Sequence, residues 1–301
     1  MNKFSFLYLV FFYATASIFT LFGDVSIENQ IYGCLFFIAL FGIPHGAIDN
    51  LIVLSDDNIS KYKFYFIYLL SIILYVILWF MWPIFSFILF LVISSYHFGE
   101  SQFANYRIKS TFNKLIYCVW GTMLMSTLFY YNNIELNQLF SSFEDTIKFT
   151  ELLHLNIYKI FFYLSNVLLL IIFIVLHQKK LCDIASIRSE LFQYALIHLT
   201  FYLFPVVISF TFYFIFLHSL KVLFQEYSFL KEKFTDLNFI KFIKLLLPHT
   251  LISLLFLLVF VFFSEETNIN ISALLFSMIS ISVITLPHSV VMAKFYHKIY
   301  N

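Results

Sequence analysis

Nine histidines are scattered through a chain of 301 residues of which only 12% are charged. Six of them, His45, His97, His198, His218, His249 and His288, fall within long apolar stretches. His154, His177 and His297 stand at the ends of such stretches, where a solvated or interfacial imidazole is the expectation. An ionisable group at membrane depth is costly to desolvate, so each of the six is a functional candidate by default. Imidazole can be buried neutral and binds transition metals well. Four or so imidazoles converging inside a helical bundle suit iron, zinc or copper. Asp49 follows His45 by one helical turn, and Glu100 follows His97 by three residues. From those positions a carboxylate can orient a ligand imidazole through its second ring nitrogen. The competing reading of the six is a polar interhelical network or proton relay without metal.

Local sequence sharpens four of the sites. In Gly42-Ile43-Pro44-His45-Gly46-Ala47-Ile48-Asp49 a proline and two glycines surround the histidine, which implies a broken or closely packed helix. Leu247-Pro248-His249 and Leu286-Pro287-His288 repeat the Pro-His pair. Proline frees a carbonyl and lets a neighbouring side chain leave the regular helical track. Tyr96-His97-Phe98-Gly99-Glu100 adds a second carboxylate-flanked histidine. The three cysteines, Cys34, Cys118 and Cys182, have no metal-type spacing and read as buried thiols.

The elements that must position these residues are membrane spans. Apolar residues make up 61% of the chain, 43 residues are Phe, and mean hydropathy is +0.89. So few polar groups cannot cover such a chain in water. A net charge of +1 leaves no basic field to draw nucleic acid. Abundant Phe, Ile, Asn and Lys with only two Arg fits codon bias, so Phe content by itself carries no function. The expectation is an all-α, polytopic transmembrane helix bundle forming one integral membrane domain over residues 1–301. Spans of about 20 apolar residues are expected at 4–23, 31–54, 64–82, 84–104, 113–131, 156–177, 189–204, 206–224, 241–263 and 270–292. Two joints are tight, at Trp82-Pro83 and Phe204-Pro205, where proline ends one helix and starts the next; without those hairpins eight or nine spans remain. Residues 4–23 are too long an apolar run for a cleaved signal. Residues 132–155 are long enough for an amphipathic helix outside the bilayer.

With ten spans, sixteen of the 18 Lys and Arg residues fall on one side, Arg107 and Lys109 among them; only Lys148 and Lys159 fall on the other. That asymmetry places both termini in the cytoplasm and suits a multi-pass protein of the cell's inner (plasma) membrane. His45, His97, His218 and His288 then lie 12 to 18 residues into spans running the same way. At 1.5 Å per residue they share a layer in the cytoplasmic half. His198 and His249, on spans running the other way, reach about the same level.

Four stretches carry a family resemblance: Pro44–Asp49, a P-H-G-x-x-D pattern; Tyr96–Glu100, Y-H-F-G-E; Phe216-Leu217-His218-Ser219-Leu220-Lys221; and Leu286-Pro287-His288. In this order and over most of its length the chain resembles the Brp/Blh family of membrane β-carotene 15,15′-dioxygenases. The resemblance implies an Fe(2+) enzyme that splits β-carotene, or a related carotenoid, at its central double bond with O2 to give retinal. It also implies that His45, His97 and His218 are iron ligands, and allows a functional link to a microbial rhodopsin that uses the product. One departure stands out. The family's span-eight stretch reads like H-S-x-R-H, whereas here Lys221 holds the basic position and Val222 replaces the second histidine. His288, then His249, then His198 are the candidate replacements, with Asp49 and Glu100 as supporting carboxylates. The loss of a ligand also leaves open a non-catalytic membrane protein that binds carotenoid or retinal. A transporter would need charges along a whole path through the bilayer, and the outer halves of these spans have almost none. A di-iron desaturase would need H-x-x-x-H clusters, and no two histidines are three or four apart.

Overall fold

The computed structural model describes residues 3–23, 25–54, 60–106, 112–266 and 271–300. All regular structure among these residues is helical. The helices are α1 (Lys3–Phe22), α2 (Ile27–Phe37), α3 (Asp49–Leu54), α4 (Lys61–Met81), α5 (Pro83–Phe103), α6 (Asn113–Tyr131), α7 (Asn133–Ser141), α8 (Thr150–His154), α9 (Ile157–Gln178), α10 (Ile184–Leu203), α11 (Val206–Phe212), α12 (Leu220–Lys233), α13 (Phe239–Glu266) and α14 (Ala273–Tyr300). Every one of the ten expected segments is helical. Two of them are interrupted. Between α2 and α3 the chain passes through a π-helical turn, Ile38–Gly42, and a 3-10 turn, Ile43–Gly46. Between α11 and α12 it passes through a second π-helical turn, Tyr213–Ser219.

Seven stretches are long and apolar enough to cross a membrane: 3–21, 27–53, 61–81, 83–106, 157–178, 206–233 and 273–300. The expected spans at α6, α10 and α13 are helices outside that set. For α6 and α10 the reason is physical. Helix α6 carries Lys114, Trp120, Gly121, Thr122, Ser126, Thr127, Tyr130 and Tyr131 along its length, which lower its apolarity, and Trp120 and Thr127 are buried against its neighbours. Helix α10 buries Glu190, Gln193 and Thr200 and needs inward hydrogen-bond partners more than apolarity. The lipid-like surface lies elsewhere. Helices α4 and α9 expose Leu70, Ile73, Leu74, Ile77, Ile160, Leu164, Val167 and Ile171, an apolar belt too extensive for a water-facing surface.

Both proline joints are breaks. Trp82 leaves helical geometry at φ −139° and ψ 72° before Pro83 opens α5, and Phe204 is extended at φ −111° and ψ 153° before Pro205. Tyr75 spans the first hairpin by donating to the Ser86 carbonyl at 2.8 Å. Glu135 Oε2 accepts the Val206 N–H at 2.9 Å, satisfying the start of α11. Residues 132–155 differ from expectation. They form two short helices joined by turns, and Leu136, Leu139, Phe140, Phe149 and Leu153 are buried in the core. The cysteines differ as well: all three are free, but only Cys34 is buried, Cys118 being exposed and Cys182 partly so. Arg107 and Lys109 of the charge argument lie outside the described residues.

Two glycines set the closest helix crossing. A Cβ on Gly121 would lie 1.6 Å from the Ser95 carbonyl oxygen, and one on Gly99 1.9 Å from that of Tyr117. Helices α5 and α6 therefore touch backbone to backbone, as small residues permit inside membranes. Long-range polar ties hold the outer helices: Tyr8 donates to Thr200 Oγ1 at 2.6 Å, and Trp79 to Ser282 Oγ at 2.8 Å.

Candidate metal centre

Both interruptions lie where a histidine must be aimed. The π turn Ile38–Gly42 and the 3-10 turn Ile43–Gly46 deliver His45, and the π turn Tyr213–Ser219 delivers His218. Such turns rotate a side chain off the regular track and recur at functional sites. Gly42 lets the two turns meet, since a Cβ there would be 2.5 Å from the Phe214 ring. His97 and His288 come instead from regular helix, on α5 and on α14 one residue after Pro287.

These four histidines come together. Nε2 of His97 and Nε2 of His218 are 3.2 Å apart. The His45 ring centroid lies 4.6 Å from that of His288 and 5.2 Å from that of His218; His97 and His288 are 5.2 Å apart. One nitrogen from each of His45, His97 and His288 falls within 4.8 Å of the others. All four side chains are buried.

Partners on the far ring nitrogens determine which atom faces inward. His45 Nδ1 meets the Gly42 carbonyl oxygen, which can only accept. Nδ1 of His45 thus carries the proton and Nε2 keeps its lone pair. His288 Nδ1 donates to both oxygens of Asp49, at 2.9 and 3.1 Å, and Tyr68 donates to Asp49 Oδ2 at 3.1 Å. Nε2 of His288 is buried without a hydrogen-bond partner. An orphaned imidazole nitrogen, a second Nε2 held the same way and two more in mutual contact form a donor set that fits a transition-metal ion. At metal–nitrogen lengths near 2.0–2.1 Å, neighbouring ligand nitrogens fall roughly 3 Å apart, close to the His97–His218 separation. Aromatic rings close the site against water: Phe98 and Phe214 pack on His218 at centroid distances of 4.7 and 5.7 Å.

The other candidates are placed elsewhere. His198 lies in a separate network, where its Nε2 donates to Asn166 Oδ1 at 3.0 Å and Tyr131 donates to its Nδ1 at 3.1 Å. With both nitrogens engaged, His198→Ala should leave metal content at the wild-type level while lowering thermal stability. Metal analysis with a melting curve checks both. His249 is exposed on α13. Depth along the membrane normal is blind to the direction a side chain takes around its helix, and that separates these two from the cluster. Asp49 supports His288 rather than His45, its nearer neighbour in sequence. Glu100 makes no described hydrogen bond to a cluster histidine; its electrostatic partners are Lys114, Tyr96 and Tyr117.

Val222 is fully buried, in an apolar cluster that includes Ile48, Ile52, Val291 and Met292. A histidine there would displace apolar side chains, and overpacking of this kind costs about 1–3 kcal/mol. With four imidazoles already gathered in the cluster, Val222→His should lower thermal stability and give no gain in bound metal. A gain in metal occupancy would show that the cluster lacks a donor. Sequence reasoning overlooked Glu190, Gln102 and Gln193, all buried, and Glu226, buried with neither carboxylate oxygen hydrogen-bonded. Their signal was available: acidic and amide residues falling inside or beside apolar helices.

Residues 36–296 match the family model described as Beta-carotene 15,15'-dioxygenase. No curated protein and no solved structure gives a match.

Proposed function

The chain belongs to the β-carotene 15,15'-dioxygenase family, and on that premise we propose that it splits β-carotene, or a related carotenoid, at the central double bond with O2 to give two molecules of retinal. The observation that carries this reading is the convergence of His45, His97, His218 and His288 in one buried cluster among aromatic rings. These four would hold Fe(2+), whose redox chemistry, when bound, serves reaction with O2. The Gly42 carbonyl and Asp49 hold the His45 and His288 rings in the tautomer that presents Nε2 inward. Phe98 and Phe214 keep water from the cluster. A polyene partitions into lipid, so it can reach such a site sideways between helices, and a positioned substrate needs little more than orientation against the reacting centre.

In this reading residues 1–301 form one integral membrane unit of ten spans in the inner membrane. The sixteen-to-two distribution of Lys and Arg supports cytoplasmic termini. The retinal product could supply a microbial rhodopsin. Expression in carotene-producing cells, with metal analysis of the purified protein, tests the reaction. Loss of carotene colour with retinal formation and bound iron is the expected result. Unchanged pigment copurifying with the protein would replace this reading with that of a non-catalytic carotenoid binder.

A further inference from the structure

The bundle end that carries Lys3 and Tyr300 contains a pocket of about 510 Å3, within the size range of small-molecule sites. Its floor is polar, with Gln102, Glu190 and Gln193 buried and Tyr106 and Lys221 partly so. Gln102 Nε2 donates to Glu190 Oε2 at 2.7 Å and to Gln193 Oε1 at 3.0 Å. Tyr106 donates to Glu190 Oε1 at 2.5 Å. Lys221 Nζ donates to the carbonyls of Ser101 and Gln102 at the end of α5, 3.1 Å from each. Each Glu190 oxygen and the Gln193 carbonyl therefore already accepts one hydrogen bond. Among the described hydrogen bonds, the Gln193 side-chain N–H groups and one N–H of Lys221 are not used. This floor offers donors, so it suits an uncharged head that accepts, such as a carbonyl.

Its position adds to this. Lys221 is three residues beyond His218 and Gln102 five beyond His97, about 5 and 8 Å along their helices. The polar floor is thus the part of the pocket nearest the histidine cluster. The pocket continues past Phe224 and Phe229 to Glu232, a further 16 Å or so along α12. Beyond the floor Phe224 and Phe229 stand among Lys3, Gln225, Ser228 and Glu232, so donors near the cluster and two aromatic rings beyond match an amphiphile whose polar end points back toward the reacting centre.

We propose that this pocket holds the aldehyde product, with the retinal carbonyl between Lys221 and Gln193 and its polyene along Phe224 and Phe229. The proposal rests on the reaction given above, because only cleavage places a carbonyl at the end of the chain nearest the cluster. A hydrocarbon substrate has no group for this floor.

Direct titration of the purified full-length protein with all-trans-retinal and, separately, with β-carotene provides the test. Gln193→Leu and Lys221→Met should each weaken retinal binding about tenfold, the effect of one lost hydrogen bond to a buried head, while β-carotene binding holds. Lys221→Arg, which keeps a donor and can still satisfy the α5 carbonyls, should retain retinal binding. Wild-type metal content in the variants shows that the bundle is intact. If a variant loses its metal, Gln193→Met, which removes the donors and keeps the length of the side chain, takes its place. Retinal affinity unchanged in these variants, or retinal and β-carotene weakened alike, overturns the proposal. Added retinal binds without turnover, so the two readings fail separately. Retinal binding that depends on Gln193 in a protein unable to cleave carotene upholds the pocket and overturns the reaction. Cleavage with retinal binding indifferent to Gln193 and Lys221 does the reverse.

Discussion

Alanine at position 97 should leave the protein without bound iron and without carotene cleavage. His97 lies against two other members of the cluster: its Nε2 is 3.2 Å from that of His218, and its ring is 5.2 Å from that of His288. Removing it deletes one donor and leaves a void between two others. Loss of an outer partner that only orients a ligand costs about 10–100-fold in metal affinity. That smaller effect is expected for Asp49→Ala, which frees the His288 ring. Loss of His97 itself should exceed it, and His45→Ala should behave like His97→Ala. Iron per polypeptide and retinal formation report the two effects independently. Iron retained at the wild-type level in both histidine variants would remove them from the site.

The largest structural effect is expected from Gly121→Ala. One methyl group would have to occupy a position 1.6 Å from the Ser95 carbonyl oxygen. That atom is backbone, held in α5, so no rotamer change relieves the clash and the two helices must part. Gly99→Ala meets the Tyr117 carbonyl at 1.9 Å from the opposite direction. Ser95 and Gly99 flank His97 on α5, so displacement of the helix also displaces the histidine. Each variant should fall in the severe range for point mutants, above about 4 kcal/mol, seen as loss of folded protein on extraction and a collapse of the melting temperature. Gly33→Ala is the matched control. Nothing lies within 4 Å of its added Cβ, and alanine favours helix by about 1 kcal/mol. A Gly121→Ala protein as stable as wild type would mean that α5 and α6 are not in backbone contact.

Most of the helices were legible because hydrophobic runs and prolines are local signals. Trp82-Pro83 and Phe204-Pro205 marked breaks that the chain makes, and ten apolar stretches became ten helical stretches. The four cluster histidines were legible from depth together with their Pro, Gly and aromatic neighbours. What depth could not supply was direction around the helix axis. His198 and His249 were expected at the level of the cluster, but one is engaged in a separate network and the other is exposed, and their sequence surroundings give no measure of rotation about the helix. The pairing of Asp49 with His288 was hidden for a related reason. A one-turn spacing from His45 suggested a local partner, but the irregular turns at 38–46 break the regular geometry that makes residues four apart neighbours. The buried amide and acid network around Glu190 went unseen because a single Glu near a helix end reads as a solvated terminus.

The hydrogen bond between Asp49 and His288 joins positions 239 residues apart. Membrane chains are made and inserted from the N-terminus onward, and long-range contacts form last. His45, His97 and His218 can all be in the membrane before α14 has been synthesised, but His288 and the contact that holds it cannot. If the cluster holds a metal as proposed, capture by all four imidazoles would follow the insertion of α14 rather than accompany that of the earlier helices. A chain that stops short of α14 would carry most of the hydrophobic mass but lack His288, and with it the partner of Asp49 in the cluster.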